Sequence, residues 1–127
     1  YNKVPSDLLK TQIDTCWVGV AGEDPAEYVR KYSGRAPVVH LKDYVMPGKN
    51  PQKMYDLNGI EDEKKDYKAG DAFGYRPIGL GVQNFSEILK ACKDAGTLWV
   101  VIEQDEPSMG KTSFECAEIS IKQLKSL

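Results

Sequence analysis

Ala36-Pro37-Val38-Val39-His40-Leu41-Lys42-Asp43 is a run of strand length in which aliphatic and β-branched residues surround a single histidine. Gly34-Arg35 precedes it and a long polar segment follows, the punctuation expected around a buried strand. Two other stretches have the same character. Residues 11–20, TQIDTCWVGV, are β-branched and aromatic around Asp14 and predict a strand ending near Trp17 or Val18. Residues 98–103, LWVVIE, predict a third strand ending on Glu103.

Helix signals lie between and after these runs. Asp24-Pro25-Ala26-Glu27 offers an N-cap, a proline at the first helical position and an acid at N3, predicting a helix over 25–32 stopped by Ser33-Gly34. Asn84-Phe85-Ser86-Glu87 opens a second, with Phe85, Ile88, Leu89 and Cys92 on one face and Gly96 as its stop. Thr112-Ser113-Phe114-Glu115 opens a last helix whose Phe114, Ala117, Ile121 and Leu124 form one apolar stripe. The order is β-α-β-(long loop)-α-β-α. Near-continuous apolar strands alternating with helices imply an α/β fold with a parallel sheet, because a parallel crossover needs a connection about as long as a helix. An open sheet and part of a barrel both fit this pattern. Residues 1–127 read as a single domain, with residues 44–76, rich in Lys, Asp, Gly and Pro, as a long inserted loop.

Composition narrows the function classes. The 127 residues are 41% hydrophobic and 28% charged, and 17 Lys+Arg against 19 Asp+Glu leave a net charge of −2 with no basic surplus for nucleic acid. No apolar run approaches the roughly 18 residues of a membrane span, and no signal peptide is recognisable. Cys16, Cys92 and Cys116 are odd in number, far apart and without Cys-x-x-Cys spacing. They read as buried thiols in a reducing compartment, and a cytoplasmic location is expected. The chain starts Tyr1-Asn2-Lys3 without an initiator methionine, which leads us to expect a processed or cut piece of a longer protein.

Chemistry enters through strand alternation. Gln12, Asp14 and Cys16 would share one face, Val38, His40 and Lys42 another, and Trp99, Val101 and Glu103 a third. Each strand thereby carries a possible metal ligand, Asp14, His40 or Glu103, near its C-terminal end, the end at which α/β sheets and barrels bind ligands. Two carboxylates and an imidazole make a mixed O/N donor set suited to Mn²⁺, Mg²⁺, Co²⁺ or Zn²⁺ with positions open for water or substrate. Taken singly, each residue could equally cap a strand or form a local ion pair.

Asp14-Thr15-Cys16-Trp17, Val39-His40-Leu41-Lys42-Asp43, Pro77-Ile78-Gly79-Leu80-Gly81 followed by Phe85, and Val101-Ile102-Glu103-Gln104-Asp105 together resemble the last three βα units of the xylose-isomerase-like TIM barrels. That superfamily includes sugar phosphate isomerases/epimerases, ketohexose 3-epimerases, inosose dehydratases and endonuclease IV. The resemblance implies the C-terminal portion of a (β/α)8 barrel and a divalent metal held by Glu, Asp, His and Glu from four successive strands. Asp14, His40 and Glu103 correspond to the last three ligands, and the strand bearing the first would lie upstream of Tyr1. It further implies a metal-dependent sugar, sugar phosphate or polyol isomerase or epimerase working through a metal-stabilised enediolate, with Glu103 as the acid/base. An inosose-dehydratase-like lyase is a second implied activity.

Lys42 and Arg76 become candidate substrate contacts, with a solvated lysine and a loop arginine as the plain alternatives. Trp17 is either an apolar wall against a sugar ring or a core tryptophan. It stands where several relatives have histidine, and Tyr75 stands where endonuclease IV has another, so a three-metal phosphodiesterase site is not expected. A different class of answer is a non-catalytic half-barrel or interaction module. Three βα units leave sheet edges unpaired, so self-association or pairing with a missing N-terminal half is expected. Residues 105–112 end in Gly-Lys-Thr between strand and helix, but Asp105 replaces the leading glycine of a phosphate loop and Pro107 removes a donor.

Overall fold

The computed structural model describes residues 1–46 and 73–127. Its elements in chain order are β1 (Gln12–Asp14), α1 (Thr15–Val20), α2 (Pro25–Lys31), β2 (Val38–Leu41), β3 (Asp43–Val45), β4 (Gly74–Arg76), α3 (Phe85–Ala95), β5 (Trp99–Ile102) and α4 (Ser113–Lys125). The three helices foreseen in the sequence start on the caps read there. Asp24 accepts from the Glu27 N–H at 2.9 Å and Asn84 from the Glu87 N–H at 3.2 Å, while Thr112 and Glu115 form a reciprocal capping box. Gly96 closes α3 in the left-handed conformation, φ 74°.

β1, β2 and β5 form a parallel sheet in that order, with Gln12 opposite Val38, Asp14 opposite His40, and His40 opposite Val101. Side chains alternate across it. Ile13, Val39 and Leu41 turn toward the helices and pack with Val29 of α2 and Phe85, Ile88, Ala91 and Cys92 of α3. Asp14 and His40, one residue out of step, are thereby placed on the opposite face. The Glu103 N–H donates to the Leu41 carbonyl at 3.1 Å, carrying the ladder one residue past β5. All three cysteines are buried free thiols, as the sequence suggested. No helix among the described residues is long and apolar enough to cross a membrane.

Three features differ from the sequence reading. The strand expected to reach Trp17 or Val18 ends at Asp14, because the Asp14 carboxylate accepts from the N–H groups of Cys16 and Trp17 and caps α1. The expected loop 44–76 begins and ends as an antiparallel ribbon, β3 against β4, with Tyr44 opposite Tyr75; positions 47–72 lie outside the described residues. Of the stripe expected on α4, only Leu124 packs against the core. Phe114 is 89% exposed and Ile121 is exposed too, while Cys116 and Ser120 face inward. Ser120 anchors α4 through its hydroxyl, which accepts from the Ile78 N–H at 3.0 Å and donates to the Cys116 carbonyl at 2.9 Å.

The ribbon is clasped by one side chain. Asp43 is fully buried, and its carboxylate accepts from four backbone N–H groups: Tyr44 at 2.9 Å, Gly79 at 2.9 Å, Gly81 at 2.9 Å and Gln83 at 3.3 Å. Such saturation satisfies a charge that would otherwise be costly to bury. Gly81 is required by proximity, since a Cβ there would overlap the Asp43 carboxylate and the Tyr44 carbonyl oxygen. Residues 77–83 are thus folded around Asp43, which sets the start of α3 and keeps the base of the ribbon beside the C-terminal ends of β1, β2 and β5.

Candidate metal centre

Asp14 serves two purposes. Its Oδ1 is occupied by the α1 amides of Cys16 (2.9 Å) and Trp17 (3.1 Å), which leaves Oδ2 directed away from the helix, 3.5 Å from Lys42 Nζ. Burial raises the Asp14 pKa; the Trp17 amide and the Lys42 charge oppose this without cancelling it, and Glu103 adds to it. Cys16, which a continued strand would have set beside Asp14, is instead fully buried in α1, and burial pushes its thiol pKa well up. It remains a protonated core thiol.

His40 is fixed from two sides. Thr15 Oγ1 donates to its backbone carbonyl at 3.0 Å, tying the start of α1 to β2. Its Nε2 lies 3.0 Å from Gln12 Oε1, and its Nδ1 meets Glu103 Oε2 in close contact. In the metal-free protein the contact between Nδ1 and Glu103 needs a proton between them; a metal ion bound there would take that proton's place, with the Gln12 carbonyl oxygen left to accept from Nε2. Asp14, His40 and Glu103 each present a ligand atom, and all three atoms lie within 4.8 Å of one another. With metal–ligand bonds of about 2.0–2.2 Å, two ligands of one ion stand at most about 4.4 Å apart, so small side-chain movements bring this O/N/O set to a single ion. The donor chemistry and convergence fit a divalent metal.

Lys42, just past β2, is only 2% exposed, although lysines are rarely buried unless paired. Its Nζ lies 2.8 Å from Asp105 Oδ1 and 3.0 Å from Glu103 Oε1, and 5.2 Å and 5.3 Å from the ring centres of Trp17 and Tyr75. Burial works against its charge, but hydrogen bonds to Asp105 and Glu103 and the field of Asp14 outweigh it and raise its pKa. Lys42 is therefore an ammonium and not a nucleophile. Burial likewise opposes the Asp105 charge, yet Lys42 and Tyr75 hold the Asp105 pKa below the ordinary carboxylate value.

Trp17 stands at the rim, stacked on Phe73 at 5.7 Å and edge-on to Tyr75 at 6.4 Å. Arg76 is not drawn in. Strand alternation turns it to the face of the ribbon opposite Tyr75, and its guanidinium donates to the Tyr75 carbonyl at 2.7 Å. Sequence reasoning passed over three participants: Asp105, Gln12 and Tyr75. Gln12 and Asp105 each sit two residues from a predicted ligand, the spacing that returns a strand-like backbone to the same face. Tyr75 stands out in the sequence only as a departure from a histidine of endonuclease IV; its place in a ribbon opposite Tyr44, distant in sequence, carries no local signal.

No protein-family model matches the chain, and no curated protein does. Among solved structures it is similar to one described as a sugar phosphate isomerase/epimerase from Parabacteroides distasonis ATCC 8503, with a TM-score of 0.67 and 21% identity over 98% of this chain and 33% of that one. A second structure with that description and source gives a TM-score of 0.68 and 19% identity over 99% of this chain and 34% of that one. The chain thus spans about a third of the length of these structures and shares the fold of that part of them, a partial TIM barrel.

Proposed function

We propose that this chain carries part of the active site of a metal-dependent isomerase or epimerase acting on a sugar, sugar phosphate or polyol. The observation supporting this most directly is the meeting of Asp14, His40 and Glu103 within 4.8 Å at the C-terminal ends of three adjacent parallel strands. A divalent ion held by these residues would supply Lewis-acid stabilisation to an enediolate. The chain's own residues divide the remaining work. Glu103 takes a proton from a sugar carbon and returns it, since a carboxylate that accepts from Lys42 has a fixed position from which to reach it. Trp17 and its aromatic neighbours form an apolar wall at the rim.

Metal titration of the intact protein by calorimetry tests this. Loss of an outer-shell partner typically weakens metal binding about 10–100-fold, so Asp14→Ala and His40→Ala, which remove ligands, are expected to weaken it at least about 100-fold. Retained affinity in either variant overturns the assignment.

The partner we propose for the sheet is the rest of a complete barrel. β1 and β5 each have one unpaired edge among the described residues, Trp99 is 70% exposed, and a cleft of about 500 Å³ bordered by Ile13, Val18 and Tyr28 runs beside β1. Further parallel βα units would cover both edges. By itself the 127-residue chain is expected to self-associate, giving masses above 14.2 kDa in light scattering. A stable monomer of that mass with one cooperative unfolding transition contradicts the proposal.

A further inference from the structure

The Lys42 ammonium has three N–H donors and three carboxylates around it: Asp105 at 2.8 Å, Glu103 at 3.0 Å and Asp14 at 3.5 Å. A lysine that bound substrate would keep a donor free for it. Here the ammonium donates to Glu103, is ion-paired with Asp105 and Asp14, and lies over the rings of Trp17 and Tyr75. Two of the three carboxylates, those of Asp14 and Glu103, are also the metal-ligand candidates, so the ammonium and a metal ion draw on the same negative charge.

We propose that Lys42 is a positioning residue and an internal counter-cation: it holds Glu103 and Asp105 in place and balances the acidic cluster before metal arrives, so metal binding works against it. This rests on the reading of Asp14, His40 and Glu103 as metal ligands. Three carboxylates and one ammonium, with the neutral imidazole a metal ligand must be, leave two net negative charges for one divalent ion. Removing the ammonium leaves three. The metal-free site then suffers repulsion among its carboxylates, while an arriving cation meets one fewer positive charge.

The two effects have opposite signs, which separates this role from a structural one. Lys42→Met keeps an unbranched side chain of similar length beside the rings and removes the charge. In the intact protein it is expected to lower the melting temperature of the metal-free form, to narrow that deficit once Mn²⁺ is bound, and to tighten Mn²⁺ affinity by calorimetry on the order of tenfold. Adding Asp105→Asn removes one carboxylate that is not a ligand candidate and should move both quantities back toward wild type. A Lys42→Met protein that loses metal-free stability and Mn²⁺ affinity together, with no recovery on adding Asp105→Asn, overturns the counter-cation role and leaves the metal site standing. Wild-type protein that binds no Mn²⁺ overturns both.

Discussion

Asp43→Asn is expected to lower the stability of the intact protein by about 3 kcal/mol or more, measured by denaturant unfolding. One Asp43 oxygen accepts from Tyr44 and Gln83 and the other from Gly79 and Gly81. An asparagine supplies one acceptor oxygen and one NH₂ group, so whichever way the amide is turned, a donor faces two N–H groups. Each buried donor left unsatisfied costs about 1–3 kcal/mol, and there are two. Restoring an acceptor by moving the backbone is obstructed, because the turn at Gly81 already lies against Asp43 and the Tyr44 carbonyl. An Asp43→Asn protein as stable as wild type would mean that the clasp holds nothing the rest of the fold does not hold already.

Glu103→Gln should have the largest effect on chemistry. The amide is nearly the same size and still offers an oxygen to Lys42, but it cannot take up a proton. General acid–base catalysis by a positioned side chain contributes about 10²–10⁴-fold, so turnover should fall by about that factor with a much smaller change in KM. Uptake of solvent deuterium into the sugar carbon reports the proton transfer directly and should fall in parallel. Unchanged turnover or exchange removes Glu103 from the acid/base role, whether or not metal affinity changes.

Much of this architecture was legible in the sequence because its signals are local. The caps at Asp24, Asn84 and Thr112 are each made within four residues, and the three strands announce themselves by apolar runs. The convergence of Asp14, His40 and Glu103 was legible because strand ends in an α/β fold converge. What escaped depended on partners far along the chain. Asp43 stood in plain view after Lys42, yet its glycine partners lie 36 and 38 positions away. The ribbon was missed for the same reason. Asp14 misled in a different way: its β-branched surroundings favour a strand, but its side chain captures two downstream amides and the backbone turns helical. On α4 the stripe was real as a pattern, but only Leu124 of it packs against the core, and Ser120 anchors the helix by its hydrogen bonds.

The Asp43 clasp also bears on how such a protein can change over generations. Apart from Asp43 itself, it is made from backbone N–H groups, so it makes no demand on the side chain at 83 and asks of 79 and 81 only the small size and backbone freedom of glycine. A clasp built on backbone groups therefore leaves a lineage free to change side chains around it while selection keeps Asp43 and the two glycines.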